Sequence, residues 1–430
     1  MPVNKTSNRD LMAWSLYDTG NSAFSAIIET FVFAAYFSGY VAVSQASGMA
    51  LWGYTLGWAG LVVALLAPVM GAMADQGGNR KPWLGVFTAI CVLATALLCQ
   101  VKPEVDSQSL ALWLVAIGVV SSELALVFYN AMLPDLVDGE GLGRWSGWGW
   151  AMGYAGGLIC LVLALIIVRE GGGWGILAGI PAGAVRATFV LAALWYLVFS
   201  LPVLLITPSR PSTGMPLMRA AINGFRQVGQ TLGLLKNHRA LLWFLIARML
   251  YIDGLTTLFA FGGVFAAGTF NMDAQQVMMF AIMLNVTAGI GAAAFAKIDE
   301  RMGSRRAILW SLAGLLVLSS ATLLAQSKTQ FLIFGVLLGF FVGPAQAASR
   351  TYMARAAPAH LRGEFFGLLA FSGKATAFLG PFAVAALVQI SGSQRVGMSA
   401  ILFLLLAGAI LMMWRVPEAD KVRDVIAIYE

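Results

Sequence analysis

Long apolar runs separated by short polar segments are the main pattern along the 430-residue chain. A helix needs about 20 mainly apolar residues to cross the hydrocarbon core of a bilayer. Its backbone polar groups must then be satisfied within the helix itself. Six such runs precede a longer polar gap and six follow it. We therefore predict membrane-spanning helices over Leu11–Ser38, Leu51–Met73, Trp83–Cys99, Leu110–Leu133, Trp145–Val168, Arg186–Ile206, Ala240–Ala267, Ala274–Ala296, Ala307–Ala325, Phe331–Met353, Phe365–Ile390 and Val396–Trp414.

The composition supports a membrane protein. Hydrophobic residues make up 59% of the chain and charged residues 11%, whereas soluble proteins carry roughly 25% charged residues. So apolar a chain needs lipid to cover it. The first run contains Asp18 and Glu29 and lacks a cleavage pattern, so we predict a retained helix rather than a signal peptide.

The basic residues predict the orientation. The net charge is +7, and the Lys and Arg residues lie in short loops rather than on one patch, which argues against a nucleic-acid partner. An excess of basic residues marks the cytoplasmic side. With the N-terminus inside, the cytoplasmic loops hold the larger share, including Lys5, Arg9, Arg80, Lys81, Arg144, Arg219, Arg226, Lys236, Arg239, Lys297, Arg301, Arg305 and Arg306. Both termini are therefore predicted to be cytoplasmic, in a bacterial inner membrane.

Little in the sequence suggests metal or cofactor chemistry. Cys91, Cys99 and Cys160 all lie in apolar runs and form no CxxC pair, and the two histidines lie in predicted loops. The segment Gly367–Lys374 departs from a phosphate-binding loop in spacing and lacks the final Ser or Thr. We expect no metal, no cofactor and no enzymatic activity.

The polar gap divides the chain into an N-terminal bundle (1–206), a linker (207–239), a C-terminal bundle (240–415) and a cytoplasmic tail (416–430). Apolar residues recur at helical spacing in the linker, with basic residues among them. This pattern is typical of a helix lying on the inner leaflet, although a plain tether explains it equally well.

The two halves resemble each other. Tyr17–Gly20 in the first helix matches Tyr251–Gly254 in the seventh, and both contain an Asp. The loops Ala74–Lys81 and Lys297–Arg306, at equivalent points of the two halves, place an acid ahead of a glycine and a basic pair. Parallel six-helix repeats indicate an all-α membrane protein of two pseudo-symmetric bundles, which is the major facilitator fold.

These loops also resemble the loop signature of that superfamily, in which an acid at a helix end latches one conformational state. The resemblance implies gating roles, although the same charges also fit a purely topological role. The candidate gating residues are Asp75, Arg80, Lys81, Asp299, Arg305 and Arg306.

Charges within the predicted helices are candidates for the transport path. A charge at the bilayer centre costs about 2.5–3.5 kcal/mol on insertion scales, so it usually faces a cavity or a partner. Asp18, Ser25 and Glu29 share a helical face with Ser22. Buried ion pairs that only fix helix packing are the alternative reading. The candidate substrate or proton pathway comprises Asp18, Asn21, Ser25, Glu29, Glu123, Asn130, Arg248, Tyr251, Asp253, Gln346, Arg350 and Lys374.

Small residues predict close helix packing. Gly149, Gly153 and Gly157 are spaced by four on the fifth helix, as small residues are where two helices approach closely. The tenth helix repeats this spacing up to Gly343. Pro344 follows and predicts a kink or break, whose freed carbonyls could face the cavity.

Several segments resemble the vacuole-effluxer family, the "unknown major facilitator" branch of the superfamily. They are Trp14–Phe24, Phe128–Leu136, Trp145–Gly157, Gly343–Pro358 and Glu364–Pro381. The resemblance implies a twelve-helix fold and secondary transport, with amino-acid export known among fungal members. Thr19, Pro344 and Ala348 depart from the family pattern and leave the substrate open.

Together these features predict a secondary active transporter for a small polar solute, working by alternating access, with amino acids as the candidate solutes and efflux as the expected direction. We expect protons or another ion as the coupling partner, contact with membrane lipids, and a monomer. A lipid flippase on the same fold and a transport-inactive receptor are the alternatives.

Overall fold

The computed structural model describes residues 7–76, 79–137, 139–170, 179–208, 239–356, 368–369, 372–373 and 375–419. Within these residues the chain is helical and contains no β-strand. The predicted all-α class is therefore confirmed.

Twelve helices, numbered in chain order, make up the described part of the fold. They are α1 (Asn8–Val41), α2 (Gln45–Gln76), α3 (Lys81–Leu97), α4 (Gln108–Leu136), α5 (Gly139–Glu170), α6 (Gly183–Leu205), α7 (Arg239–Phe270), α8 (Ala274–Met302), α9 (Ser304–Leu324), α10 (Lys328–Ala356), α11 (Leu379–Ser391) and α12 (Gln394–Arg415).

Eleven of these helices in the described part are long and apolar enough to cross a membrane, and α11 is a shorter apolar helix. The twelve apolar runs of the sequence thus correspond to the twelve helices. The predicted interfacial helix of the 207–239 linker lies almost entirely outside the described residues. So does the tail beyond residue 419.

The first helix, α1, is irregular. Ser7 and Asp10 form a capping box at its N-terminus, in which each side chain accepts a backbone N–H at the helix start. Its backbone then becomes π-helical over Ser25–Thr30 and again over Phe37–Val41. Single π-helical turns within α-helices occur often at functional sites. The first of them carries Glu29.

The chain divides into two compact units. The first comprises Met1–Gly48, Val62–Gln227 and Asp273–Met278, and includes α3 to α6. The second comprises Met49–Leu61, Val228–Met272 and Met279–Glu430, and includes α9 to α12. The α2 helix therefore contributes to both units.

In the first unit, cations fasten α3 to α6 at both ends. Lys81 Nζ, at the start of α3, donates a hydrogen bond to the Leu204 carbonyl at the end of α6, at 3.1 Å. Arg186 Nε, near the start of α6, donates to the Cys99 carbonyl just beyond the end of α3, at 2.6 Å. Both contacts place a positive charge at the negative C-terminal end of a helix, where it is stabilising.

The second unit repeats this arrangement between α9 and α12. Arg305 Nη2, at the start of α9, donates to the Met413 carbonyl near the end of α12, at 2.7 Å. Arg395 Nη2, at the start of α12, donates to the Ala325 carbonyl at the end of α9, at 2.7 Å. In each unit, therefore, the same two helices are joined at both ends by a basic side chain that donates to a helix C-terminal carbonyl.

The repeated Tyr-x-x-Gly segments have equivalent packing roles. A Cβ added to Gly20 of α1 would lie 3.1 Å from the Tyr196 carbonyl of α6, and one added to Gly254 of α7 would lie 3.3 Å from Leu405 Cγ of α12. In each unit the glycine lets the first helix approach the sixth closely.

Candidate functional site

Asp18 in α1 is the central acid of the first unit. The Tyr129 hydroxyl of α4 donates a hydrogen bond of 2.9 Å to Asp18 Oδ2. The Tyr129 ring is held between two aromatic rings of α1: it stacks on Trp14 at 4.4 Å and on Tyr17 at 4.7 Å between ring centroids. Trp14 Nε1 also donates to the Tyr129 carbonyl. The stacked rings fix the hydroxyl that holds the carboxylate.

A chain of buried hydroxyls continues from this cluster. The Tyr17 and Tyr196 hydroxyls share a hydrogen bond of 2.8 Å, and Tyr17 also bonds to Thr88 at 2.9 Å. Asn21 Nδ2 donates to Tyr196 at 3.0 Å and to Ser122 at 2.7 Å. Asn21, a predicted site residue, therefore belongs to a network that joins α1, α3, α4 and α6.

The predicted polar stripe of α1 lies against the glycine face of α5. A Cβ added to Gly149 would lie 2.8 Å from Asp18 Oδ2, and one added to Gly153 would lie 2.8 Å from Ser22 Oγ. The glycines that were predicted to serve helix packing therefore also make room for a carboxylate and a hydroxyl. Asp18 itself is half-buried.

The remaining candidates of the first unit occupy different environments. Ser25 and Glu29 are half-buried in the π-helical turn of α1. On α4, Glu123 is half-buried and Asn130 is exposed. The structure thus brings Asp18 and Asn21 close to the aromatic cluster, whereas Asn130 of α4 is exposed.

Asp253 in α7 is the equivalent acid of the second unit. Its Oδ2 accepts a hydrogen bond of 3.0 Å from the backbone N–H of Gly380, in the first turn of α11. Asp253 is 1% exposed, and its Oδ1 has no hydrogen-bond partner within the described part of the chain. The same holds for the neighbouring Thr257 hydroxyl. As with Asp18, a glycine faces the carboxylate.

Arg248 lies one and a half turns before Asp253 on α7. Its Nη1 donates to the Leu369 carbonyl at 2.6 Å and to Ser372 Oγ at 2.8 Å. Tyr251, between them in sequence, shares a hydrogen bond of 2.6 Å with Ser349 of α10. These residues form a polar cluster within the second unit.

Three further candidates belong to the same unit. Gln346 and Arg350 are half-buried on α10, and Arg350 lies close enough to Arg248 to act on it electrostatically. Lys374 lies outside the described residues.

Of the kink or break predicted at Pro344, the break is absent from α10. The helix runs continuously from Lys328 to Ala356 with Pro344 inside it. The Phe340 carbonyl, which the proline leaves without its usual donor, lies against α8, since a Cβ on Gly291 would be 1.8 Å from it. This carbonyl therefore serves helix contact rather than a cavity.

In the first gating loop, Arg80 pairs with an acid that lies far along the chain. Arg80 is 7% exposed and forms an ion pair with Asp135 at the end of α4, while its Nη1 also donates to the Ala131 carbonyl. Asp75, the expected acid, is in α2, but its side chain lies outside the described ones. Lys81 fastens α6, as described above.

In the second gating loop, Asp299 at the end of α8 pairs with Arg355 of α10 at 3.1 Å. Arg355 Nη1 also donates to Ser304 Oγ at 3.0 Å. Arg305 and Arg306 both lie within 3.6 Å of the Glu418 carboxylate that follows α12. The three added partners (Asp135, Arg355 and Glu418) were missed by sequence reasoning because they lie far along the chain from the loops.

The described residues contain no group of three or more His, Cys, Asp or Glu side chains that could hold a metal ion. The polar groups of both units are carboxylates, hydroxyls, amides and guanidinium groups. Groups of these kinds can bind a solute and exchange protons.

Comparison with solved structures supports the fold. A D-xylose–proton symporter matches with a TM-score of 0.73, 12% identity and coverage of 96% of this chain and 98% of that chain. A bacterial homologue of the human lysosomal transporter Spinster matches with a TM-score of 0.69, 16% identity and coverage of 97% and 98%. The fold is that of a major facilitator superfamily transporter.

The sequence comparisons define the family more closely. The family model described as "Vacuole effluxer Atg22 like" matches residues 36–142 and 142–425, and the chain belongs to this family. The uncharacterized MFS-type transporter YxiO of Bacillus subtilis (strain 168) is 26% identical over 94% of each chain. Autophagy-related protein 22 of Yarrowia lipolytica is 24% identical over 61% of this chain and 48% of its own length. The chain is thus a multi-pass membrane transporter and not an enzyme.

Proposed function

We propose that this transporter moves a small polar solute out of the cytoplasm by alternating access and couples that movement to protons through Asp18. The export direction follows the description of the family as effluxers, and amino acids are the first solutes to test because the resemblance to its fungal members implies them. The predicted orientation, with both termini in the cytoplasm of a bacterial cell, and the monomeric state belong to the same proposal.

The contact between Asp18 and Tyr129 carries the proposal. A charged carboxylate within a membrane-spanning helix has a high free-energy cost unless it is paired with a cation or neutralised by a proton. Asp18 forms no ion pair within the described part of the chain, and its hydrogen bond comes from a neutral hydroxyl. Binding a proton would remove the charge without displacing a cation. A group of this kind can pass between charged and neutral forms during a transport cycle.

The test begins with a thermal-shift screen of the purified protein against amino acids, small peptides and organic acids. Stabilising solutes are then measured for flux into proteoliposomes with and without a pH gradient. We expect a pH gradient to drive accumulation by the wild-type protein, and Asp18→Asn to abolish that response.

Asp106→Asn is the matched control, because Asp106 is an exposed acid in the short turn before α4. Gel filtration of each variant verifies that it is folded. Proton-driven flux that survives Asp18→Asn at the wild-type rate and with the wild-type pH dependence would reject Asp18 as the coupling group.

A further inference from the structure

One edge of the Arg248 guanidinium, in the second unit, has no hydrogen-bond partner among the described residues. The Arg248 side chain is fixed from one side, since its Nη1 donates to the Leu369 carbonyl and to Ser372 Oγ. Ser372 Oγ in turn donates to the same carbonyl at 2.8 Å. These three groups hold the guanidinium in one orientation.

The opposite edge of Arg248 consists of Nε–H and Nη2–H. Among the described residues, the buried Nε has no hydrogen-bond partner and Nη2 makes no hydrogen bond. A buried donor left without an acceptor costs about 1–3 kcal/mol. The two N–H groups are parallel and coplanar, which is the geometry that a carboxylate meets with two hydrogen bonds.

The charge of Arg248 is also uncompensated by the described acids. No described carboxylate lies within ion-pair distance of it. Arg350 of α10 adds a second positive charge nearby and repels it. Asp253, on the same helix, is instead bonded to Gly380. The described residues thus offer Arg248 no acid of the protein to neutralise, which favours an anionic ligand.

The segment of α-helical backbone beside the guanidinium carries no side chain at position 373. Residue 373 is glycine, and a Cβ added there would lie 3.4 Å from Nη1 and 3.7 Å from Nη2 of Arg248. A larger side chain at this position would extend along the group and compete with a ligand for it.

From this geometry we infer that Arg248 binds the carboxylate group of the transported solute, through Nε and Nη2. The inference rests on the proposed transport function and adds a substrate class to it: organic acids and amino acids that present a free carboxylate. Ser372 and the Leu369 carbonyl are positioning groups, because they touch the guanidinium and not the solute.

The experiment compares solutes that differ only in the anionic group. The full-length protein in detergent is titrated with L-alanine and L-alaninamide, with succinate and succinamide, and with glycerol 3-phosphate and glycerol, and binding is followed by thermal shift. We expect at least one carboxylate to stabilise the protein while its amide does not. Stabilisation by glycerol 3-phosphate alone would show a phosphate site and overturn the carboxylate assignment, as would the absence of any stabilisation.

Two variants then test the residue. Arg248→Lys keeps the positive charge but lacks the planar edge, and we expect at least a tenfold loss of affinity for the carboxylate. Gly373→Leu blocks the edge without changing the charge, and we expect a similar loss. Arg186→Lys is the matched control, because the Arg186 donors bond to backbone carbonyls at a helix end.

Unchanged affinity in folded Arg248→Lys and Gly373→Leu would overturn the inference. The proposed function fails separately: a wild-type protein that binds the carboxylate but moves no solute into proteoliposomes would reject transport while leaving the site intact.

Discussion

Asp253 of α7 accepts a 3.0 Å hydrogen bond from the backbone N–H of Gly380, and so caps the N-terminus of α11 from a neighbouring helix. The first backbone N–H groups of a helix have no partner within the helix. A negative charge near them also interacts favourably with the helix dipole. Pro381, the next residue, has no backbone N–H and so needs no acceptor, which suits the first turn. The cap explains how α11 can begin at Leu379, inside the predicted span Phe365–Ile390.

The same contact requires glycine at position 380. A Cβ there would lie 2.0 Å from Thr257 Oγ1 and 3.0 Å from Asp253 Oδ1. We predict that Gly380→Ala lowers the free energy of unfolding by about 1–3 kcal/mol, because overpacking a dense helix contact forces its neighbours apart. The measurement is thermal unfolding of the purified protein in detergent.

Two further variants make that test specific. Gly262→Ala lies on α7, where an added Cβ meets nothing within 4 Å, and it should leave the unfolding temperature unchanged or raise it slightly. Thr257→Ala removes the clashing hydroxyl and should restore part of the loss when combined with Gly380→Ala. Equal destabilisation by Gly380→Ala and Gly262→Ala would contradict the prediction that position 380 requires glycine.

The ion pair between Arg80 and Asp135 predicts a second effect. Breaking a buried pair costs about 3–5 kcal/mol, because it leaves an uncompensated charge. The Arg80 side chain is 7% exposed and that of Asp135 is 20% exposed. We therefore expect Asp135→Asn to lower the free energy of unfolding by an amount at or just below the lower end of that range. A double-mutant cycle with Arg80→Gln measures the coupling.

Lys102 and Glu104 provide the comparison, because their ion pair is exposed, with 63% and 52% of the two side chains accessible. Exposed pairs contribute about 0.2–1 kcal/mol. A coupling energy for Arg80 and Asp135 no larger than that of the exposed pair would show that the buried contact is not structural.

The fold could be predicted from the sequence because the bilayer imposes one rule on every span. Each apolar run had to be helical, and the repeated Tyr-x-x-Gly segments indicated two related halves. Gly20 and Gly254 occupy equivalent helix contacts in the two units. Apolar runs and short repeated segments are formed by residues close together in the chain, so they can be recognised in a single sequence.

The polar site was less predictable because its contacts join distant parts of the chain. Asp18, predicted for the substrate or proton pathway, lies against Gly149 of α5, far along the chain from it. The available signal was a match of spacings: Asp18 and Ser22 are four apart, as are Gly149 and Gly153. The pairing of Arg80 with Asp135 had no such signal, since any acid at that end of the unit could have served.

The glycine face of α5 leads to a third prediction. A Cβ added to Gly156 would lie 2.5 Å from Thr19 Cγ2 and 2.7 Å from Thr19 Cα in α1. Backbone atoms cannot rotate away, so Gly156→Ala should force α1 and α5 apart and lower the unfolding free energy by about 1–3 kcal/mol.

Gly39→Ala is the control for that variant, because it lies in α1 with nothing within 4 Å of the added Cβ. Both proteins are compared by thermal unfolding at matched detergent concentration. An unfolding temperature of Gly156→Ala equal to that of Gly39→Ala would mean that the two helices are less closely packed than the structure shows.

The cysteines allow a direct test of the predicted orientation. Cys91 and Cys160 are fully buried, whereas Cys99, just beyond the end of α3, is partly exposed. With the N-terminus inside, that end of α3 faces the outside, so a membrane-impermeant maleimide should label Cys99 in intact spheroplasts and leave Cys99→Ser unlabelled. Met302 is 41% exposed at the end of α8, on the predicted inner side. Met302→Cys in the Cys99→Ser background should therefore react only in inside-out vesicles, and the reverse pattern would invert the topology.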